Sequence, residues 1–186
     1  MTHAARLVLE DADYALTQHR STLQANAFRV SWFSVVALLR AVGHVLHKVD
    51  GGSDSSPAMR LAIEEKYREM KSSKSHHKIY WEFIDTMRND FLKEYKSGVK
   101  RTLPIMIDGK PEHVFDVGSG RGGFGLEGGA GMGPTSGFVS RIVEGTYAGR
   151  PEAEVAREAI EWWGRYLDSI DSIASKYAAI TPLGGA

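Results

Sequence analysis

The 186-residue sequence predicts an all-α fold: a helical bundle of about five helices, with a β-hairpin and a glycine-rich loop inserted before the last helix. Three observations carry this expectation. Apolar residues return at steps of three and four along several long stretches, as one face of a helix requires. Asp108-Gly109, the dipeptide of a tight hairpin turn, stands between two short apolar runs. Twelve of the twenty glycines fall within residues 118–149, too many for a packed helix.

Residues 3–24 combine helix-favouring composition with few breakers, and Leu7, Tyr14 and Leu16 are the apolar positions of a first helix. In residues 26–49, Phe28, Trp32, Val35, Leu39, Val42 and Leu46 make a continuous stripe, which Gly51 and Gly52 end. Ser56 before Pro57 reads as an N-cap with proline in the first turn. Met59, Ile63, Tyr67 and Met70 then give a narrow stripe and a more exposed third helix. The polar, basic residues 71–78 form a connection. A fourth helix runs over residues 79–96 on Tyr80, Phe83, Ile84, Met87, Phe91 and Tyr95, with Gly98 as its stop. The hairpin occupies residues 99–117, and a short strand or turn at residues 138–143 interrupts the glycine-rich loop. Pro151 opens the last helix, where Val155, Ala159, Trp163, Tyr166, Ile170, Ile173 and Tyr177 keep helical spacing. Residues 181–186 are expected to be disordered, and residues 1–186 to form one domain.

Lys plus Arg and Asp plus Glu both number 23, so the net charge is zero and any nucleic-acid contact must come from a local patch. The absence of cysteine removes disulfides and thiolate chemistry. The charged amino terminus is unlike a signal peptide, and no stretch is expected to reach the roughly 20 apolar residues of a membrane span. A cytoplasmic location, no membrane and no cofactor are the expectations.

Chemistry is sought first at Arg88, one turn from Ile84 and Leu92 and so at the edge of a buried side. Its guanidinium either pairs with a carboxylate such as Asp85 or Glu94, or takes an anion. A second polar stripe on the long helix holds Arg40, His44 and His47; folded across from Arg88 it makes one groove with Asn89 and Lys93, although boundary histidines of this kind are commonly only structural. A metal on His44 and His47 is a weaker alternative, and no metal site is assigned.

The run Trp81-Glu-Phe-Ile-Asp-Thr-Met-Arg-Asn-Asp-Phe-Leu-Lys-Glu-Tyr95, with Trp32-Phe33 and Leu38-Leu39-Arg40 on the preceding long helix, resembles the HEPN superfamily. That resemblance implies a helical bundle, often dimeric, and in many members a metal-independent ribonuclease with an Arg, a polar neighbour and a His four to six residues beyond. Arg88 and Asn89 match the first two positions, whereas Lys93 stands where the His is expected. A lysine suits phosphate binding without change but needs a pKa depression of roughly three units to serve as a base near pH 7.

Val114-Phe-Asp-Val-Gly-Ser-Gly-Arg-Gly-Gly123 resembles the first glycine motif of S-adenosylmethionine-dependent methyltransferases. The glycines continue through Gly133 with no helix behind them, so the motif lacks its doubly wound context. The leading expectation is therefore RNA or nucleotide binding, with ribonuclease activity of a defence or toxin-type system as its active form. A silent dimeric scaffold that binds a partner protein is the alternative, supported by adjacent Trp162 and Trp163, of which only one can face its own core. The methyltransferase comes third.

Overall fold

The computed structural model describes residues 1–21, 25–107, 110–116 and 139–180. Five α-helices, α1 (His3–Ser21), α2 (Ala25–Val45), α3 (Pro57–Ser72), α4 (Asp85–Glu94) and α5 (Glu152–Ile180), surround one apolar core. The all-α bundle with an inserted hairpin is thus the observed architecture. A π turn, Leu46–Asp50, prolongs α2, and a second, Ile79–Ile84, leads into α4. A 3₁₀ turn, Lys74–His77, occupies the basic connection.

The long stripe of α2 is buried throughout: Trp32, Val35, Leu39 and Val42 are fully covered, and Phe28 and Leu46 nearly so. By length and composition the Asn26–Asp50 helix is, contrary to expectation, long and apolar enough to cross a membrane. Trp32, Val35, Val36, Leu39, Val42 and Leu46 of this segment are buried in the core, whereas Val30 and Val49 are exposed. On α1 the buried face also differs from the expected one. Leu16 is covered, but Leu7 and Tyr14 are 63% and 68% exposed, and the seam is made by Ala5, Ala12 and His19. Small side chains at the seam let two helices approach closely, and α1 packs along α2 and reaches α5.

The helix ends are held by side chains as the local sequence requires. Ser56 Oγ accepts the Met59 N–H at 3.2 Å, capping α3 ahead of Pro57. Asp50, at the far end of the α2 extension, accepts the Ala4 and Ala5 N–H groups at 3.0 and 2.9 Å and so caps α1. Asp171 of α5 accepts the Thr2 N–H at 2.8 Å and pairs with Arg6. At the end of α4, Tyr95 adopts the left-handed conformation (φ 54°) and its N–H returns to Phe91 O, so the helix ends at Glu94, four residues before Gly98. Gly98 (φ 64°) instead turns the chain into the sheet, where a Cβ would come within 2.6 Å of Met87 Sδ.

Three antiparallel strands follow: β1 (Val99–Ile107), β2 (Lys110–Asp116) and β3 (Val139–Ile142), in the order β2-β1-β3. The hairpin is as expected, with its turn dipeptide outside the described residues; the short strand expected at 138–143 pairs with the first half of β1, Val99 opposite Ile142 and Thr102 opposite Val139. The glycine motif after Asp116 and the tail from residue 181 also lie outside the described residues.

Of the adjacent tryptophans, Trp163 is the buried one, and its indole N–H donates to Leu39 O at 2.9 Å. Trp162 remains half-buried and stacks on Tyr166, ring centres 5.0 Å apart. Trp32 donates to Ser97 O at 2.8 Å and so ties α2 to the start of the insertion.

Candidate functional site

Asp85 and Asn89 are one turn apart on α4 and therefore share a face. Asp85 Oδ2 accepts the Asn89 amide at 3.2 Å, and Asn89 Oδ1 in turn accepts Arg88 Nη1 at 2.9 Å. The other Asp85 oxygen faces Arg40 Nε of α2 at 3.3 Å. Arg40 and Arg88 are thereby linked through Asp85 and Asn89. Arg88 itself meets Asn89 and not Asp85 or Glu94; Glu94 pairs with Lys96. The Arg40 guanidinium also lies over the Tyr80 ring, 5.9 Å from its centre, which keeps the stem against the protein.

Beside this chain a cavity of about 280 Å³ opens between α2 and α4, lined by Ala37, Arg40, Ala41, His44, Arg88 and the apolar pair Phe91 and Leu92. The expected groove is therefore present for Arg40, His44 and Arg88, with Asn89 bonded to Arg88 behind it. Lys93 is exposed and does not line it, and His47 lies elsewhere.

His47 belongs to a second cleft of about 130 Å³ on the other side of Arg40 and His44, walled by Tyr67, Tyr80, Trp163 and Tyr166 and flanked by Lys48. Its ring meets Tyr67 edge-on at 4.6 Å. Burial lowers the imidazole pKa below its ordinary value, and the cations Arg40, Lys71, His44 and Lys48 lower it further. Burial likewise raises the Tyr80 hydroxyl, against the opposing pull of Arg40. Gly43 makes the cleft floor possible, because a Cβ there would sit 3.0 Å from the Trp163 ring.

Sequence reasoning missed a third constellation. His19 Nδ1 lies 2.9 Å from Ser31 Oγ, and Nε2 lies 3.2 Å from Glu152 Oε1, with His19 and Glu152 both buried. Serine, histidine and acid in series suggest a hydrolase triad, but there the serine faces Nε2 and the acid faces Nδ1. The ring is reversed here, and Ser31 Oγ donates to its own helix at Phe28 O. Phe28 and Trp32 pack on the imidazole. The group joins α1, α2 and α5 and is structural. No local signal could reveal it, since His19 and Glu152 are 133 residues apart.

Among the described residues no group of three or more His, Asp and Glu side chains could hold a metal ion. Arg40, His44 and Arg88 line the α2–α4 groove beside apolar Ala37, Ala41, Phe91 and Leu92, a set whose cations suit an anion, and Asp85 is bonded to Asn89 and faces Arg40. No family model, curated protein or solved structure matches this chain.

Proposed function

We propose that this protein resembles the HEPN superfamily in function as well as in outline, and binds RNA or a nucleotide through phosphate contacts in the α2–α4 groove. The observation that carries the reading is that Arg40, His44 and Arg88, contributed by two helices, line one open cavity. A guanidinium presents paired donors that match phosphate oxygens, and the apolar lining weakens competition from water. Exposed Lys93, which does not line the cavity, supports binding without turnover.

One observation favours cleavage as a second reading. His44 lines the same cavity as Arg88, and an imidazole is the side chain suited to moving the proton of a ribose 2′-hydroxyl. In that version His44, and not Lys93, takes the part the resemblance gives to histidine. The methyl-donor reading loses support, because the described strands form a small antiparallel sheet and not a doubly wound parallel one.

The deciding experiment measures binding of labelled single-stranded RNA by anisotropy at low salt, and cleavage on gels in chelator, for wild type, Arg88→Ala and His44→Gln. Binding that weakens at least about tenfold in Arg88→Ala supports the groove, since a charge-assisted contact of this kind is worth about 1.5–3 kcal/mol. Cleavage lost in His44→Gln supports the ribonuclease. RNA and nucleotides that bind wild type and Arg88→Ala equally sink both. Homodimerisation and a cytoplasmic setting belong to the same proposal. Val30, Leu92 and Tyr95, exposed by 58%, 60% and 62% on α2 and at the end of α4, offer apolar surface to a second copy, and light scattering tests it.

A further inference from the structure

We infer that the cleft beneath the C-terminal turn of α2 is a separate oxyanion site, which takes a phosphoryl or sulfuryl group among Arg40, His44, His47 and Lys48. It shares Arg40 and His44 with the proposed groove but does not contain Arg88, so it stands or falls apart from the RNA reading.

The charges come first. Arg40 and His44 from α2 and His47 and Lys48 from its extension line the cleft. From α3, Lys71 lies 4.4 Å from the centre of the Tyr67 ring, and Lys66 lies 5.7 Å from that of Tyr166 on α5. Arg40, Lys71 and Lys48 all repel a proton at His47. The nearby carboxylates have partners: Asp85 faces Arg40 and Asn89, and Glu69 holds Lys66 at 2.5 Å. A cation or a neutral apolar ligand would have to displace or ignore this field, whereas an oxyanion is attracted by it.

The walls come second. Tyr80, Trp163 and Tyr166 are buried aromatic residues, so the cleft has a low-polarity floor on which charge interactions strengthen. Tyr80, whose hydroxyl burial raises above its ordinary value, adds a neutral ring and no competing anion near neutral pH. One effect opposes binding, the negative end of the α2 dipole, worth a factor of about two to five. Its terminal carbonyls are partly spent, because Leu46 O and Val49 O accept the Gly51 and Gly52 N–H groups at 2.9 and 3.2 Å.

His47 gives the site a distinguishing readout. Its lowered pKa leaves it neutral at pH 7, and a bound dianion reverses the repulsion that lowers it. Occupancy is therefore coupled to proton uptake at His47, and the affinity rises as the pH falls. Sulfate is the probe of choice because it does not itself titrate in this range.

The experiment follows the histidine ring signals by NMR through a pH titration, in sodium chloride and in sodium sulfate of equal ionic strength. The expected result is a His47 midpoint about one unit higher in sulfate, equivalent to about tenfold tighter binding to the protonated form. Exposed His3 and His76 serve as references. Arg88→Ala keeps the His47 response, while Lys48→Gln with Arg40→Gln reduces it. A His47 shift no larger than that of His3 or His76 overturns the inference, as does a shift abolished by Arg88→Ala, which would make the two cavities one site. RNA binding that fails while the His47 response persists removes the proposed function and leaves this site standing. Inorganic phosphate and a nucleoside 5′-monophosphate then identify the source: whichever produces the shift at lower concentration names free anion or nucleotide, and either order supports the oxyanion site.

Discussion

Asp85 is the internal counter-ion of the groove, and Asp85→Asn tests whether it competes with ligand. The carboxylate lies 3.3 Å from Arg40 Nε. A phosphate bound on the opposite side of that guanidinium would stand about 8 Å from it, where two unit charges repel by about 1–2 kcal/mol at an effective dielectric of 20–40. Arg40 and Asp85 side chains are 32% and 30% exposed, so solvent screening favours the lower end. Removing the charge should tighten phosphate or RNA binding by about fivefold, the equivalent of about 1 kcal/mol. The stability cost should stay below about 1 kcal/mol, as for other partly exposed ion pairs. Anisotropy titration with a short single-stranded RNA, paired with urea unfolding, measures both. Unchanged or weaker binding in a variant of normal stability would refute the idea that this groove is an anion site whose affinity Asp85 lowers by repulsion.

Two further expectations concern the core. Glu152→Ala leaves the buried His19 Nε2 without its partner, and should cost about 1–3 kcal/mol, lowering Tm by roughly 2–12 °C; a loss below about 0.5 kcal/mol would show that the pair contributes nothing. At high pH the signs are set by the tyrosines: burial raises the Tyr166 hydroxyl above its ordinary value, so the unfolded chain gives up this proton first. Its contribution is complete below about pH 10 and is lost as the pH rises beyond, by up to about 1.4 kcal/mol per unit. Urea unfolding at pH 9 and 11 should show a smaller decline for Tyr166→Phe than for wild type.

The core helices were legible where large apolar side chains mark the period, as in α2 from Phe28 to Leu46 and α5 from Val155 to Ile170. The face of α1 was not, because Ala5 and Ala12 carry little hydropathy while exposed Leu7 and Tyr14 carry more. The stop of α4 was misplaced for a related reason. Glycine is the ordinary left-handed residue, but Tyr95 takes that conformation and Gly98 is required by the nearness of Met87. At the groove, Arg40, His44 and Arg88 could be singled out by residue type and helical spacing. Asp85 facing Arg40 across two helices and Gly43 making room for the Trp163 ring are long-range contacts that no local pattern contains.

The strand pair that closes the insertion has a consequence for how such a chain can change. Val99 lies opposite Ile142 and Thr102 opposite Val139, and Val143 N–H returns to Gly98 O at 3.0 Å, so the polypeptide leaves the helical body and rejoins it at neighbouring points. This pairing clasps Thr102 to Val139, 37 residues further along the chain. Lengthening such a segment costs little, since each doubling of a loop adds only about 0.6 kcal/mol of closure entropy. Through such a clasp, a family of proteins could diverge in length and composition beyond it while Arg40 and Arg88 kept their places, which makes the stem a natural graft point for new recognition elements.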